Sequence, residues 1–182
     1  MNPQTRSRIA LLVILVLFFS SFGVALFLHY SGWEPTATRN YGSFLEPAAD
    51  LTALPPAHAD GEPYPWNPRA GVWRVVAVPH PDCEPSACAA MVDALRRVWI
   101  SEGRHADKLH VLWFGEVPDD APLFRNFFPM QPSEAIAAAL PEQAGREDMP
   151  VYVADPSGYL VLHYPSGFDP SGLSRDLRRL IK

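Results

Sequence analysis

The chain has 182 residues, 48% of them hydrophobic and 19% charged, with a formal net charge of −5. That length holds one ordinary domain and an anchor. The acidic balance, with no basic cluster beyond the anchor, excludes a nucleic-acid or anionic-lipid partner.

Ile9 to Tyr30 carries no charge and is dominated by Leu, Val, Ile, Phe and Ala. A membrane-spanning helix needs roughly 20 such residues. The apolar region of a cleaved signal peptide has about 7–15 and ends on small residues. This run is longer and ends on the bulky Leu26-Phe27-Leu28-His29-Tyr30, so residues 9–30 read as an uncleaved, single-pass transmembrane helix. Arg6 and Arg8 precede it, and no Lys or Arg follows before Arg39. The positive-inside rule makes residues 1–8 a cytoplasmic tail and places the rest outside, in the periplasm for a bacterial inner membrane. A disulfide persists in that compartment.

Residues 31–70 read as a Pro-rich linker. Pro35, Pro47, Pro55, Pro56, Pro63, Pro65 and Pro68 interrupt it, and its apolar residues follow neither period. The alternative is a segment laid across the following domain with Tyr41, Phe44 and Leu45 docked.

Residues 71–182 read as one domain. Val72 to Val78 is a strand, apolar almost throughout, as expected when both faces are covered. A helix follows from Glu84 or Pro85 to about Gly103, with Ala87, Met91, Ala94, Leu95 and Val98 as its buried face. Leu109 to Phe114 is a second strand, and Ser133 caps a short helix that Pro141 ends. Val151 to Ala154 and Tyr159 to Tyr164 form a hairpin around Asp155-Pro156-Ser157-Gly158. Asp169-Pro170 opens a last helix with Leu173, Leu177, Leu180 and Ile181 on one face. The order β-α-β-α-β-β-α, two crossover units followed by a hairpin and a covering helix, is an α/β layout of the thioredoxin-like type.

The two cysteines, Cys83 and Cys88, fall between the first strand and its helix. Inside a regular helix, residues five apart point about 140° away from each other, so the pair can meet only if Cys83 lies outside the helix, where Pro85 tends to place it. A thiolate at a helix N-terminus has a lowered pKa. Three uses stay open: a redox-active dithiol, a Cu(I)-binding pair and a static disulfide. Pro150 stands eight residues before Gly158, where thioredoxin-like folds carry a cis proline; the alternative is an ordinary trans proline at the start of a strand. His80, three residues before Cys83, is a candidate nitrogen donor to a metal or else a solvated loop residue. His110 and His163 fall in strands and read as packing residues. Phe124 to Met130 reads as an aromatic covered loop or a docking surface, and Asp119, Asp120, Glu142, Glu147 and Asp148 as solvated surface. No Gly-x-Ser-x-Gly, His-Glu-x-x-His, phosphate loop or dinucleotide fingerprint occurs.

The anchor running into Tyr30-Ser31-Gly32-Trp33-Glu34-Pro35, the stretch Asn40-Tyr41-Gly42-Ser43-Phe44-Leu45, the cysteine loop, and Tyr152-Val153-Ala154-Asp155-Pro156-Ser157-Gly158-Tyr159-Leu160 together resemble the Sco family of copper chaperones. They resemble most of all the small Sco-like transmembrane proteins associated with cytochrome c oxidase assembly. The resemblance implies a thioredoxin-like domain that helps build the oxidase's copper site, by delivering copper or by reducing its cysteines. An oxidase subunit or assembly factor would be the partner. It implies copper held by two cysteines and a distant histidine, here Cys83 and Cys88, with the nearby His80 as the candidate third ligand. For thiol exchange, the loop position of Cys83 ahead of the helix makes it the attacking thiol and Cys88 the resolving one. The family pair is Cys-x-x-x-Cys, whereas four residues separate Cys83 from Cys88, and the position of the family histidine falls near Glu147. Other classes are a non-catalytic scaffold with a structural disulfide and a general membrane-tethered thiol-disulfide oxidoreductase.

Overall fold

The computed structural model describes residues 3–31 and 40–182. The chain divides into two compact units, Met1–Arg39 and Asn40–Lys182. In the first, helix α1 spans Pro3–Ser31. Its segment Arg8–Ser31, 24 residues holding an 18-residue window of mean hydropathy 2.8, is long and apolar enough to cross a membrane. Residues 32–39, expected to open the linker, lie outside the described residues, as does the Gly32-Trp33-Glu34-Pro35 stretch of the resemblance.

The second unit holds six strands and three α-helices. In chain order they are β1 (Ser43–Asp50), β2 (Trp73–Ala77), α2 (Pro85–Ser101), β3 (Leu109–Phe114), β4 (Phe127–Met130), α3 (Glu134–Ala139), β5 (Val151–Ala154), β6 (Tyr159–Tyr164) and α4 (Pro170–Leu180). The sheet order is β1-β6-β5-β2-β3-β4. β2 and β4 both lie parallel to β3, while β5 is antiparallel to β2 and to β6. Of the two crossover units expected, β2-α2-β3 joins parallel neighbours, whereas α3 leads to β5, which runs antiparallel to β2 on its other side. The hairpin and covering helix are present, and the fold is the α/β, thioredoxin-like arrangement.

Alternation along the central strands builds two cores. Val75, Val111 and Val153 face α2 and α4, where Val92, Leu95, Leu173 and Leu177 meet them. Val76, Leu112 and Tyr152 face the other way, toward Ile136 of α3 and toward Leu51 and Tyr64. Burial on both faces explains why β2 and β5 read as continuous apolar runs. The capping expectations hold: Ser133 accepts the Ile136 N–H at 3.3 Å and Asp169 the Ser171 N–H at 2.9 Å, a kind of cap worth about 1 kcal/mol.

Three expectations are corrected. The buried face of α2 is Cys88, Val92, Ala94, Leu95 and Val98, with Ala87 and Met91 only half-buried. Both sets keep the helical period, and packing onto the sheet selects the one that turns Cys88 inward. Phe127 to Met130 is not a loop but an edge strand. Pro129, which has no N–H to give, offers its carbonyl to Ala59 N–H at 3.0 Å.

The largest correction concerns the linker, because residues 40–70 belong to the compact unit. β1 extends the sheet on the β6 edge, and Leu51 and Tyr64 are buried against the open face. The cause lies far along the chain. The carboxylate of Asp176, 1% exposed, accepts the N–H groups of Tyr41 (2.7 Å) and Gly42 (3.0 Å) and the hydroxyl of Tyr164 (2.9 Å). At the other end, the buried guanidinium of Arg74 donates to Tyr64 Oη and to the carbonyls of Val72, Asp155 and Pro156. It lies 4.2 Å from the Trp66 ring centroid. These donors and the aromatic face offset a desolvation cost of several kcal/mol, and they fasten residues 64–66 to the sheet. Of the residues named for docking, Leu45 is half-buried while Tyr41 and Phe44 stay exposed.

Candidate functional site

β2 runs out through Val78-Pro79 into the loop His80-Pro81-Asp82-Cys83-Glu84. There the Cys83 N–H donates to the His80 carbonyl (2.9 Å), closing a turn before the helix. Pro85 takes the first helical position, and the Cys88 N–H donates to the Glu84 carbonyl at 2.9 Å. Cys83 therefore stands outside α2 and Cys88 one turn inside it, as the spacing required. Their Cα atoms are 6.2 Å apart and the two side chains form a disulfide. Cys88 is 3% exposed, packed in the core, while Cys83 is half-buried at the surface.

The loop 142–148 supports the cysteine loop from the side. The Arg146 carbonyl accepts the Glu84 N–H at 2.9 Å, its Nε donates to the Asp82 carbonyl at 3.2 Å, and its guanidinium pairs with Glu84 at 3.8 Å. The supporting loop is itself pinned. Asp148 accepts the Gly167 N–H at 2.8 Å, and Glu142 accepts the Ser166 N–H at 3.2 Å and lies 2.9 Å from His163 Nε2. Partial burial pushes the Glu142 carboxyl up, but the hydrogen bonds from Ser166 and His163 outweigh it and hold the carboxyl below its ordinary value.

The disulfide forms part of the wall of a cleft of about 1020 Å³. Val78, Phe114 and Val117 give it an apolar lining, and Gln143 and Ala144 come from the supporting loop. Gly115 belongs where the end of β3 meets Pro79, because a Cβ there would stand 2.4 Å from Pro79 Cγ. Glu116, Asp119, Asp120 and Glu134 also line the cleft. Asp119 and Asp120 are expected only as solvated surface, and Glu116, Glu134 and Arg146 carry no signal in the sequence. No local pattern marks them, since only the fold brings the loop after β3, the start of α3 and the loop before β5 to the cysteines.

Pro150 does not take its expected form. The Met149–Pro150 peptide is trans, and the cis peptide among the described residues is Glu46–Pro47. Pro150 is buried at the start of β5, where an extended chain accepts the favoured trans bond, and it is Gln143 and Ala144 that line the cleft.

The residues do not fit the three-ligand copper site that the resemblance implies. His80 lines the cleft, but its Nδ1 accepts the Asp82 N–H at 3.0 Å, so the neutral ring carries its proton on Nε2. Ligation through Nε2 would need the other tautomer and would set two N–H groups against each other. Glu147 lies in a separate groove with Ala87, Ala90 and Met91. His110 is 2.6 Å from Tyr64 Oη, and His163 stacks on Tyr152; both pack, as expected. Among the described residues, no group of three or more His, Cys, Asp or Glu side chains is placed to hold a metal.

Residues 73–182 match the family described as transmembrane-like, thioredoxin-like, C-terminal domain. The chain belongs to this family. Solved structures share its fold. Yeast Sco1 superposes with a TM-score of 0.53 at 11% identity, covering 79% of this chain and 95% of its own. Yeast Sco1 with copper bound gives 0.52 at 11% identity, with 79% and 93% covered. Arabidopsis thaliana ScoI with copper bound gives 0.51 at 10% identity, with 77% and 97% covered. No curated protein matches the sequence.

Proposed function

We propose that this family member is a membrane-anchored thiol-disulfide exchange protein whose redox couple is Cys83/Cys88. Its thioredoxin-like domain would face the periplasm from a bacterial inner membrane. The observation that carries the reading is the division of labour in the disulfide. Both cysteines line the cleft, but Cys83 is half-buried in the loop ahead of the helix while Cys88, one turn inside it, is 3% exposed.

In the reducing direction the Cys83 thiolate attacks one sulfur of a partner disulfide and expels the other as a thiolate. The Cys88 thiolate then attacks Cys83 Sγ, closing the intramolecular disulfide and releasing the partner's remaining sulfur as a thiolate. The partner gains two electrons and the protein loses two.

Of the two roles that the Sco-like resemblance carries, reduction of the cysteines of an oxidase copper site is the one these residues support. His80 Nδ1 is engaged, and Glu147 stands in another groove. The partner would be a cytochrome c oxidase subunit or assembly factor. The scaffold reading has one observation in its favour, the packing of Cys88 among Val92 and Leu95, the kind of surround that makes a disulfide inert. Trapping separates the two. With the small neutral hydroxyethyl disulfide, the reduced full chain carrying Cys88→Ser should accumulate a covalent adduct, and Cys83→Ser should not. A wild-type chain that neither exchanges nor forms an adduct would make it a scaffold.

A further inference from the structure

The charge of the cleft is one-sided. Glu116, Asp119 and Asp120 from the loop after β3, and Glu134 from the first turn of α3, all line it, and all are exposed. None of the four is held in an ion pair among the described residues. Among the described residues, no lysine or arginine lines the cleft, and the ionisable base that does is His80. The nearby Arg146 is occupied by Glu84 and the Asp82 carbonyl. A bound peptide would therefore meet four carboxylates uncompensated by a cation in the cleft lining, around an apolar floor.

The rim restricts how a peptide can be held. Pro79, Pro81, Pro85, Pro118 and Pro132 all line the cleft, and proline has no N–H to give. Those five positions cannot donate to a strand added along the rim, which puts more of the selection on apolar contact and charge.

We infer that the cleft selects cationic substrates: cysteine-containing peptide segments whose flanking residues are lysine or arginine, presented to Cys83 across the acidic rim. This inference rests on the thiol-exchange reading and names the substrate class of that same site. Four like charges beside a low-dielectric floor raise the local concentration of a cation and repel an anion, with effects on association of about 10-fold or more at low ionic strength. A segment with glutamates beside its cysteine carries the wrong sign.

The test uses the reduced full chain in neutral-detergent micelles. Two synthetic peptide disulfides are compared, dimers of Gly-Lys-Cys-Lys-Gly and of Gly-Glu-Cys-Glu-Gly, each rate divided by that of the same peptide with dithiothreitol. Hydroxyethyl disulfide serves as the uncharged control. The lysine peptide should react about 10-fold faster than the glutamate peptide at low ionic strength. That ratio should fall toward one in about 1 M salt, where the screening length is about 3 Å. Combining Glu116→Gln, Asp119→Asn, Asp120→Asn and Glu134→Gln should abolish the ratio, while exchange with hydroxyethyl disulfide persists at the rate set by the altered thiolate fraction, which shows the site still assembled. Equal peptide rates alongside normal hydroxyethyl disulfide exchange would overturn the inference and spare the exchange reading. No exchange with any of the three disulfides would overturn both.

Discussion

Arg146 holds Glu84 by main chain and side chain together, with its carbonyl on the Glu84 N–H at 2.9 Å and its guanidinium 3.8 Å from the Glu84 carboxylate. The same guanidinium donates to the Asp82 carbonyl at 3.2 Å, so both neighbours of Cys83 are tied to one residue of the loop before β5. Arg146→Ala keeps the main-chain bond and removes the other two. An exposed ion pair and one exposed hydrogen bond together contribute about 1 kcal/mol. If the reduced and oxidised loops use them unequally, the potential moves by up to ~20 mV. The expected outcome is a shift of that size on equilibration with glutathione, with a loss of unfolding free energy of no more than about 1 kcal/mol in urea. A shift in midpoint without a shift in potential would make Arg146 a structural residue only.

The two thiols should differ in reactivity. In the reduced chain, Cys88→Ser leaves the half-exposed Cys83, which should be alkylated by iodoacetamide at least ~10-fold faster than the buried Cys88 left by Cys83→Ser. Equal rates, or a faster Cys88, would reverse the assignment of attacking and resolving thiol.

The folded unit should begin at Asn40. A fragment 40–182 keeps β1, the Asp176 cluster and the Tyr64–Arg74 contacts, and should unfold cooperatively in urea. A fragment 71–182 leaves the Tyr164 hydroxyl on Asp176 but strips the carboxylate of two N–H donors, uncovers Arg74, and should not fold cooperatively. Within the longer fragment, Asp176→Ala should cost about 3 kcal/mol, because two backbone N–H groups and the Tyr164 hydroxyl lose their acceptor together. A loss below about 1 kcal/mol would show that residues 40–42 are not fastened there.

That boundary shows where sequence reading stops. The strands β2, β3, β5 and β6, the helix α2 with Pro85 at its start, and the capped helices α3 and α4 are written in local periods and caps, and all stand where those signals put them. β1 and the segment up to Trp66 follow no period. What holds them is a carboxylate at position 176, a guanidinium at position 74 and one face of the sheet. The candidate site divides the same way. Placing Cys83 outside the helix and Cys88 within it followed from their spacing and from Pro85. The trans form of Pro150, the support from Arg146 and the acidic rim depend on contacts between distant loops.

Stability should fall in mild acid through His110. Burial, followed by the nearby charges of Arg74 and His58, lowers its pKa from 6.5 to about 4. The unfolded chain, with an ordinary histidine, takes up the proton first. His110 therefore contributes its full stabilisation above about pH 7 and loses it as the pH falls through 6.5 toward 4. Because the ring is only partly buried, solvent screening reduces this to on the order of 1–2 kcal/mol. Urea midpoints between pH 7 and pH 4 should show the slope, and His110→Asn should flatten it. An unchanged slope in the variant would move the effect to another group.

The most direct test of the central claim is the reduction potential of Cys83/Cys88 in the full chain, measured by equilibration with glutathione buffers and quenched alkylation. An exchange-active couple is expected near −200 mV, among the known thiol-exchange proteins. A potential well below about −300 mV, where structural disulfides lie, would contradict it and leave a thioredoxin-like scaffold locked by its disulfide.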